Sequence, residues 1–120
     1  MNSDLCKVLV IDDDEDILNW FRMLEKQDSP YRFSFMQDEL EILKAIVHLK
    51  PDLIFLDICL SHIDGKKLSE IIRIASTYHI QIVQMSTRET FATGVPENLF
   101  MRKPLERKAV DAKIRTLLKI

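Results

Sequence analysis

Four short apolar runs each close on a residue with chemistry to offer, and this pattern limits the fold more than any other feature of the 120-residue chain. Val8-Leu9-Val10-Ile11 runs into Asp12-Asp13, and Leu53-Ile54-Phe55-Leu56 runs into Asp57. The run from Ile80 to Met85 ends on Ser86, and Leu99-Phe100-Met101-Arg102 ends on Lys103-Pro104. Short runs of this kind, bounded by turn residues, read as strands. Residues 53–56 are apolar on both faces, as in a central parallel strand. Parallel sheets gather their functional groups at the carboxyl ends of their strands. Four such strands side by side would bring three carboxylates, a hydroxyl and an ammonium to one edge. That set is equipped to hold a divalent metal and a phosphoryl group.

The intervening segments have helical periodicity. Ile17, Leu18, Phe21 and Leu24 predict a helix near 14–27, broken at Asp28-Ser29-Pro30. Tyr31 to Phe35 alternates as a half-buried strand does. A second helix is expected over 38–49, with Leu43, Ile46 and Val47 on one face, stopped at Lys50-Pro51-Asp52. A third is expected near 66–77, carrying Leu68, Ile71, Ile72 and Ala75, after a loop over 58–65 closing at Asp64-Gly65. The fourth strand is placed at about 80–85 and the fifth at about 98–102. Pro104 fits the start of a last helix whose buried stripe is Val110, Ile114, Leu117 and Leu118. A βα series of this kind predicts the α/β class, a doubly wound five-stranded parallel sheet with helices on both faces. One connection is short. Sixteen residues separate Ser86 from Lys103, and Thr93-Gly94-Val95-Pro96 disfavours helix, so the fourth helix is expected to be short or absent.

Composition sets the bounds. The length suits one domain over residues 1–120 with a single core region. Apolar residues make up 47% and charged residues 30%, which predicts a soluble globular chain rather than a disordered one. A net charge of -2 gives no general argument for nucleic acid or membrane. The basic residues Arg107, Lys108, Lys113, Arg115 and Lys119 read as a solvated helix face. Cys6 and Cys59 make no disulfide framework, no signal peptide is visible and no stretch could span a bilayer, so a reduced, cytoplasmic protein is expected.

The edge residues carry the chemistry. Two unit charges 4 Å apart repel by about 4 kcal/mol at an effective dielectric of 20. Asp12, Asp13 and Asp57 are therefore poor neighbours without a cation. Hard carboxylate oxygens suit Mg²⁺, which keeps waters and prefers phosphate as a co-ligand. An ionised carboxylate can also attack phosphorus. The transferring group then needs positive charge and donors around its oxygens, which Lys103 and the Ser86 hydroxyl can supply. Each residue alone has a plainer role: Asp13 or Asp14 as a helix cap, Asp57 as a loop acid, Ser86 as a turn hydroxyl, Lys103 as a solvated lysine. Those roles leave unexplained why all sit at the ends of apolar runs.

With these residues in place, the chain resembles the receiver domain of two-component response regulators, in its single-domain, chemotaxis-regulator-like form. Val-Leu-Val-Ile-Asp-Asp-Asp-Glu at 8–15 is similar to that family's first strand and acid pair, and Pro-Asp-Leu-Ile-Phe-Leu-Asp at 51–57 to its phospho-acceptor strand. Asp64-Gly65 and Lys103-Pro104 fall where the family has equivalents. The resemblance implies a flavodoxin-like sheet in the order 2-1-3-4-5. It implies that Asp57 accepts a phosphoryl group from a phosphohistidine donor, a sensor histidine kinase or a histidine phosphotransfer protein. Mg²⁺ would be held by Asp12, Asp13, Asp57 and the backbone carbonyl of Cys59. Ser86 would be the switch hydroxyl and Lys103 the phosphate partner. Phe100 stands where the family often has a switch aromatic, and equally suits a packed strand residue.

The chain departs from the family at Ser61, where proline is usual, at Thr87, where a small residue is usual, and in the short fourth helix. That last departure leaves the oligomeric state and the family's usual partner face open. A receiver-like interaction module acting without phosphorylation is the second reading. Thr87 and the short segment favour it, and the complete acid–hydroxyl–lysine set opposes it. Other sites fail on inspection. A calcium loop starting at Asp12 would need glycine at Ile17 and glutamate at Met23. A haloacid-dehalogenase-type phosphatase would need an acid at Cys59. Two glycines, Gly65 and Gly94, are too few for a dinucleotide fingerprint or P-loop. His48, His62 and His79 lack metal-ligand spacing.

Overall fold

The apolar runs become strands and the periodic stretches become helices in a computed structural model that describes residues 5–38, 41–58, 65–75, 80–87 and 96–120. The strands are β1 (Cys6–Ile11), β2 (Tyr31–Met36), β3 (Leu53–Asp57), β4 (Gln81–Ser86) and β5 (Phe100–Arg102). The helices are α1 (Glu15–Arg22), α2 (Ile42–Leu49), α3 (Gly65–Ala75) and α4 (Arg107–Leu118), with a single 3-10 turn at Glu97–Leu99. All neighbouring strands pair in parallel, in the order β2-β1-β3-β4-β5. This is the expected doubly wound α/β sheet.

Successive residues of a strand point to opposite faces, so each strand feeds two cores. On one face Val8, Val10, Phe55 and Val83 pack with Leu18 and Phe21 of α1 and Val110 and Ile114 of α4. On the other, Leu9, Ile11, Ile54 and Leu56 pack with Ile42 and Ile46 of α2 and Leu68 and Ile72 of α3. Every residue of β3 is buried, as expected for the central strand. The sheet's amino edge is tied by a reciprocal pair: Asp52 N–H donates to the Lys7 carbonyl at 2.8 Å, and Lys7 N–H donates to Asp52 Oδ2 at 2.8 Å.

Several local expectations shift. The first helix ends at Arg22 rather than near 27. Beyond it, Glu25 turns its carboxylate to accept the Phe33 N–H at 2.8 Å, and the Arg32 guanidinium donates to the carbonyls of Lys26 and Gln27. The two Arg32 bonds satisfy carbonyls that have no helical partner once α1 has ended. In α2 the buried face belongs to Ile42 and Ile46, while Leu43 and Val47 are 45% and 68% exposed. Of the expected face, Ile46 is buried, while Leu43 and Val47 lie one residue, or about 100°, from the buried stripe of Ile42 and Ile46. Ile71 of α3 is likewise mostly turned outward, leaving Leu68 and Ile72 as the buried pair. Pro104 lies before the last helix rather than at its first position, because Glu106 is the N-cap. In the Ser86–Lys103 connection the described part holds the 3-10 turn and a three-residue β5. The remainder, 88–95, lies outside the described residues, as do 59–64, with Cys59 and Ser61, and the expected helix ends at 39–40 and 76–77.

Candidate functional site

Parallel pairing brings the strand ends into register: Ile11 lies beside Leu56, Asp57 beside Met85, and Ser86 beside Arg102. The next residue after β1 is Asp12, and the next after β5 is Lys103. Cross-links fix these ends. Asp12 N–H donates to the Met36 carbonyl at 3.1 Å, Ile58 N–H to the Met85 carbonyl at 3.1 Å, and Lys103 N–H to the Ser86 carbonyl at 2.7 Å. The last bond holds the hydroxyl-bearing end of β4 against the lysine-bearing end of β5. Each tether is backbone to backbone, so the positions of the chemical groups depend on sheet geometry rather than on one another.

Oxygens of Asp12, Asp13 and Asp57 lie within 4.8 Å of one another, with Asp12 and Asp57 buried and Asp13 exposed. Lys103 Nζ is 2.8 Å from Asp12 Oδ2 and 3.7 Å from Asp57 Oδ1. The lysine thus bridges the two buried acids while its side chain keeps 13% exposure. Asp12 Oδ1 accepts the Asp14 N–H at 2.9 Å. Asp14 in turn caps α1, its Oδ1 accepting the Asp16 N–H at 2.9 Å. Burial pushes the Asp12 carboxyl up from the ordinary carboxylate range, and the Asp57 charge adds to that; the Lys103 ammonium and the Asp14 N–H oppose it. Ser86 is 1% exposed and Thr87 beside it is exposed.

The arrangement fits a hard divalent cation. Three carboxylates from two strand ends offer only oxygen donors, the donor set Mg²⁺ prefers beside waters or a phosphate. The half-buried Lys103 brings one positive charge to three nearby carboxylates. The structure brings together Asp12, Asp13, Asp57 and Lys103, and places Ser86 at the neighbouring strand end. Phe100 is elsewhere: it opens β5 opposite Gln84 and lines a groove of about 490 Å³ with Met101, Ala109, Ala112 and Thr116. Cys59, expected as a carbonyl ligand, lies outside the described residues.

Two features escaped the reading of the sequence. Gln84, 5% exposed, has a buried Oε1 with no hydrogen-bond partner among the described residues. It lies two residues before Ser86 on the same face of β4. A polar residue on the apolar side of a strand was the available signal. The second is a hydrogen bond of 2.6 Å from the Tyr31 hydroxyl to Asp111 Oδ1, across 80 residues of sequence. Nothing local in the sequence announces it.

An all-parallel α/β domain with an acid cluster and a lysine at the carboxyl edge of its central strands belongs to the class of proteins that handle phosphoryl groups at a strand end. Comparison with known proteins makes the class specific. Residues 8–115 match the response regulator receiver domain, and the chain belongs to that family of two-component signalling phosphoacceptors. The chain is 30% identical over 118 residues to the alkaline phosphatase synthesis transcriptional regulatory protein PhoP of Bacillus subtilis, covering 94% of this chain and 48% of that one. It thus spans about half the length of that relative. Among solved structures, it is similar to a two-component response regulator from Clostridium difficile, with 28% identity, TM-score 0.80, and 95% and 96% of the two chains covered. A CheY-like receiver domain protein from Methanospirillum hungatei shares the fold at 20% identity and TM-score 0.82, with 96% and 94% covered.

Proposed function

We propose that Asp57 is the phosphoryl acceptor of this signalling switch, and that residues 1–120 act as one receiver unit. The observation that carries the reading is the convergence of Asp57, Asp12, Asp13 and Lys103 within ion-pair and metal-ligand reach. An Asp57 carboxylate oxygen attacks the phosphorus of a phosphohistidine. A new O–P bond forms, the N–P bond breaks, and the leaving imidazole keeps the electron pair. The donor is a sensor histidine kinase or a histidine phosphotransfer protein. Asp12 and Asp13, with Asp57, hold Mg²⁺. When bound there, that ion supplies charge neutralisation between the carboxylates and the phosphoryl oxygens. Lys103 stands 3.7 Å from Asp57 Oδ1, close enough to pair with an added phosphoryl oxygen. Ser86, at the next strand end, donates its hydroxyl to another.

Phosphorylation then biases a two-state equilibrium. The new charge on Asp57 draws Lys103 and Ser86, which are joined through the Lys103 N–H to Ser86 carbonyl bond, toward the phosphoryl group. The change reaches the surface around Thr87 and Phe100, where a protein partner reads it. The phosphoryl group leaves by hydrolysis on the same site, so the protein acts as a switch rather than as a conventional enzyme. A cytoplasmic setting follows from a cytoplasmic phosphohistidine donor; among the described residues no helix is long and apolar enough to cross a membrane.

The test is direct. The protein is incubated with a small acyl phosphate and Mg²⁺ and weighed intact. One added phosphoryl group, not formed when the metal is chelated beforehand and absent in Asp57→Ala, supports the reading. An unmodified mass with every donor and divalent metal tried would leave an interaction module acting without phosphorylation.

A further inference from the structure

A second cleft, of about 480 Å³, lies away from the acid cluster, where the segment between α1 and β2 meets α4. Leu24 and Pro30 give it apolar lining, beside Tyr31 and Asp111. Its walls are cationic. Lys26 stands on one side, and Arg107, Lys108 and Arg115 stand along α4 on the other. Asp111 is already committed: it accepts the Tyr31 hydroxyl at 2.6 Å and the Arg115 Nε at 3.0 Å. Once that pair is set aside, Lys26, Arg107 and Lys108 are opposed in the cleft by Asp28 alone. Neither Arg107 nor Lys108 makes an ion pair among the described residues. Both also lie in the first turn of α4, just after the N-cap Glu106, where the helix dipole disfavours a cation. The cleft therefore carries more positive than negative charge.

We infer that this cleft is a docking surface for an acidic peptide segment of a protein partner. Placement on two elements favours a peptide over a single phosphate-sized anion. Lys26 lies on the α1–β2 segment and Arg107 and Lys108 on α4, and carboxylates spaced along an extended chain, about 3.3 Å per residue, can meet cations on both. The apolar lining residues can accept a side chain between the acids. The surface makes no use of Asp57, so its existence does not depend on the assignment of the acceptor.

The full chain is titrated into a fluorescein-labelled peptide of about eight residues with glutamate at alternate positions, and binding is followed by anisotropy. The expected result is saturable binding that weakens as salt rises. Arg107→Glu combined with Lys108→Glu should weaken it at least tenfold, and Lys26→Glu by a similar direction, while Asp57→Ala leaves it unchanged. Amide shifts in the folded protein should fall on residues 26–31 and 107–115. These positions are on the surface, and circular dichroism of each variant checks that the fold is kept. The inference is overturned by absent saturable binding, by unchanged affinity in both charge-reversal variants, by shifts confined to the Asp12–Lys103 site, or by a duplex oligonucleotide that binds the same residues more tightly than the peptide.

Discussion

Lys103 bridges two buried carboxylates, at 2.8 Å from Asp12 and 3.7 Å from Asp57. Removing it takes away the counter-charge that the two acids share. Lys103→Met should therefore lower stability at neutral pH by about 3 kcal/mol in metal-free buffer, the scale for breaking a buried pair. The loss should shrink when Mg²⁺ is added, or as acid protonates Asp12, and urea titrations across pH and metal concentration measure both. Gln84 offers a prediction of opposite sign. Its buried, unpartnered Oε1 carries a desolvation cost, so Gln84→Met should raise stability by about 1 kcal/mol in the same assay. Tyr31 supplies a pH signature. Burial, together with the hydrogen bond to Asp111 and its charge, pushes the phenol up to about 12 from its ordinary value of 10.0. A raised pKa means that the protonated form is preferred in the folded state. The stability it brings is complete below pH about 10 and lost as pH rises toward about 12. Tyr31→Phe should abolish that alkaline slope and cost about 1 kcal/mol at neutral pH.

The elements show which sequence signals govern structure and which mislead. Strand positions followed directly from apolar runs, because a parallel strand buried on both faces tolerates few other residues. Helix faces were harder to read. In α2 the sequence Ile42-Leu43-Lys44-Ala45-Ile46-Val47 carries two apolar stripes one residue apart, and packing against Leu9 and Ile54 selected the first. Only the sheet decides between them, and the sheet is not written in a helix's own sequence. The consequence can be measured. Ile46→Ala should cost about 2–5 kcal/mol, whereas Val47→Lys should change stability by less than about 0.5 kcal/mol. Equal losses at the two positions would contradict the assigned face. The end of α1 at Arg22 is hard to read for a similar reason, since the carbonyls of Lys26 and Gln27 find a partner in the Arg32 guanidinium of β2.

At the scale of the whole molecule, topology converts four separate sequence positions into one site. Asp12, Asp57, Ser86 and Lys103 were legible because each follows an apolar run, and a parallel sheet sends every such end to the same edge. The Tyr31–Asp111 bond and the cationic cleft beside it were not legible, because side chains on α4 and the α1–β2 segment meet only after both pack on the sheet. The acid cluster also couples metal to folding. A cation bound only by the folded state adds about 2.7 kcal/mol at a concentration a hundredfold above its Kd. Asp13→Asn should weaken that gain without unfolding the protein, as seen in thermal melts over a Mg²⁺ series. The central claim is that Asp57 takes the phosphoryl group. Borohydride reduction of the phosphorylated protein followed by peptide mapping tests it most directly, because reduction marks an acyl phosphate as homoserine. The account predicts the mark at position 57 alone; a mark at Asp12 or Asp13, or a stable phosphate on Ser86, would contradict it.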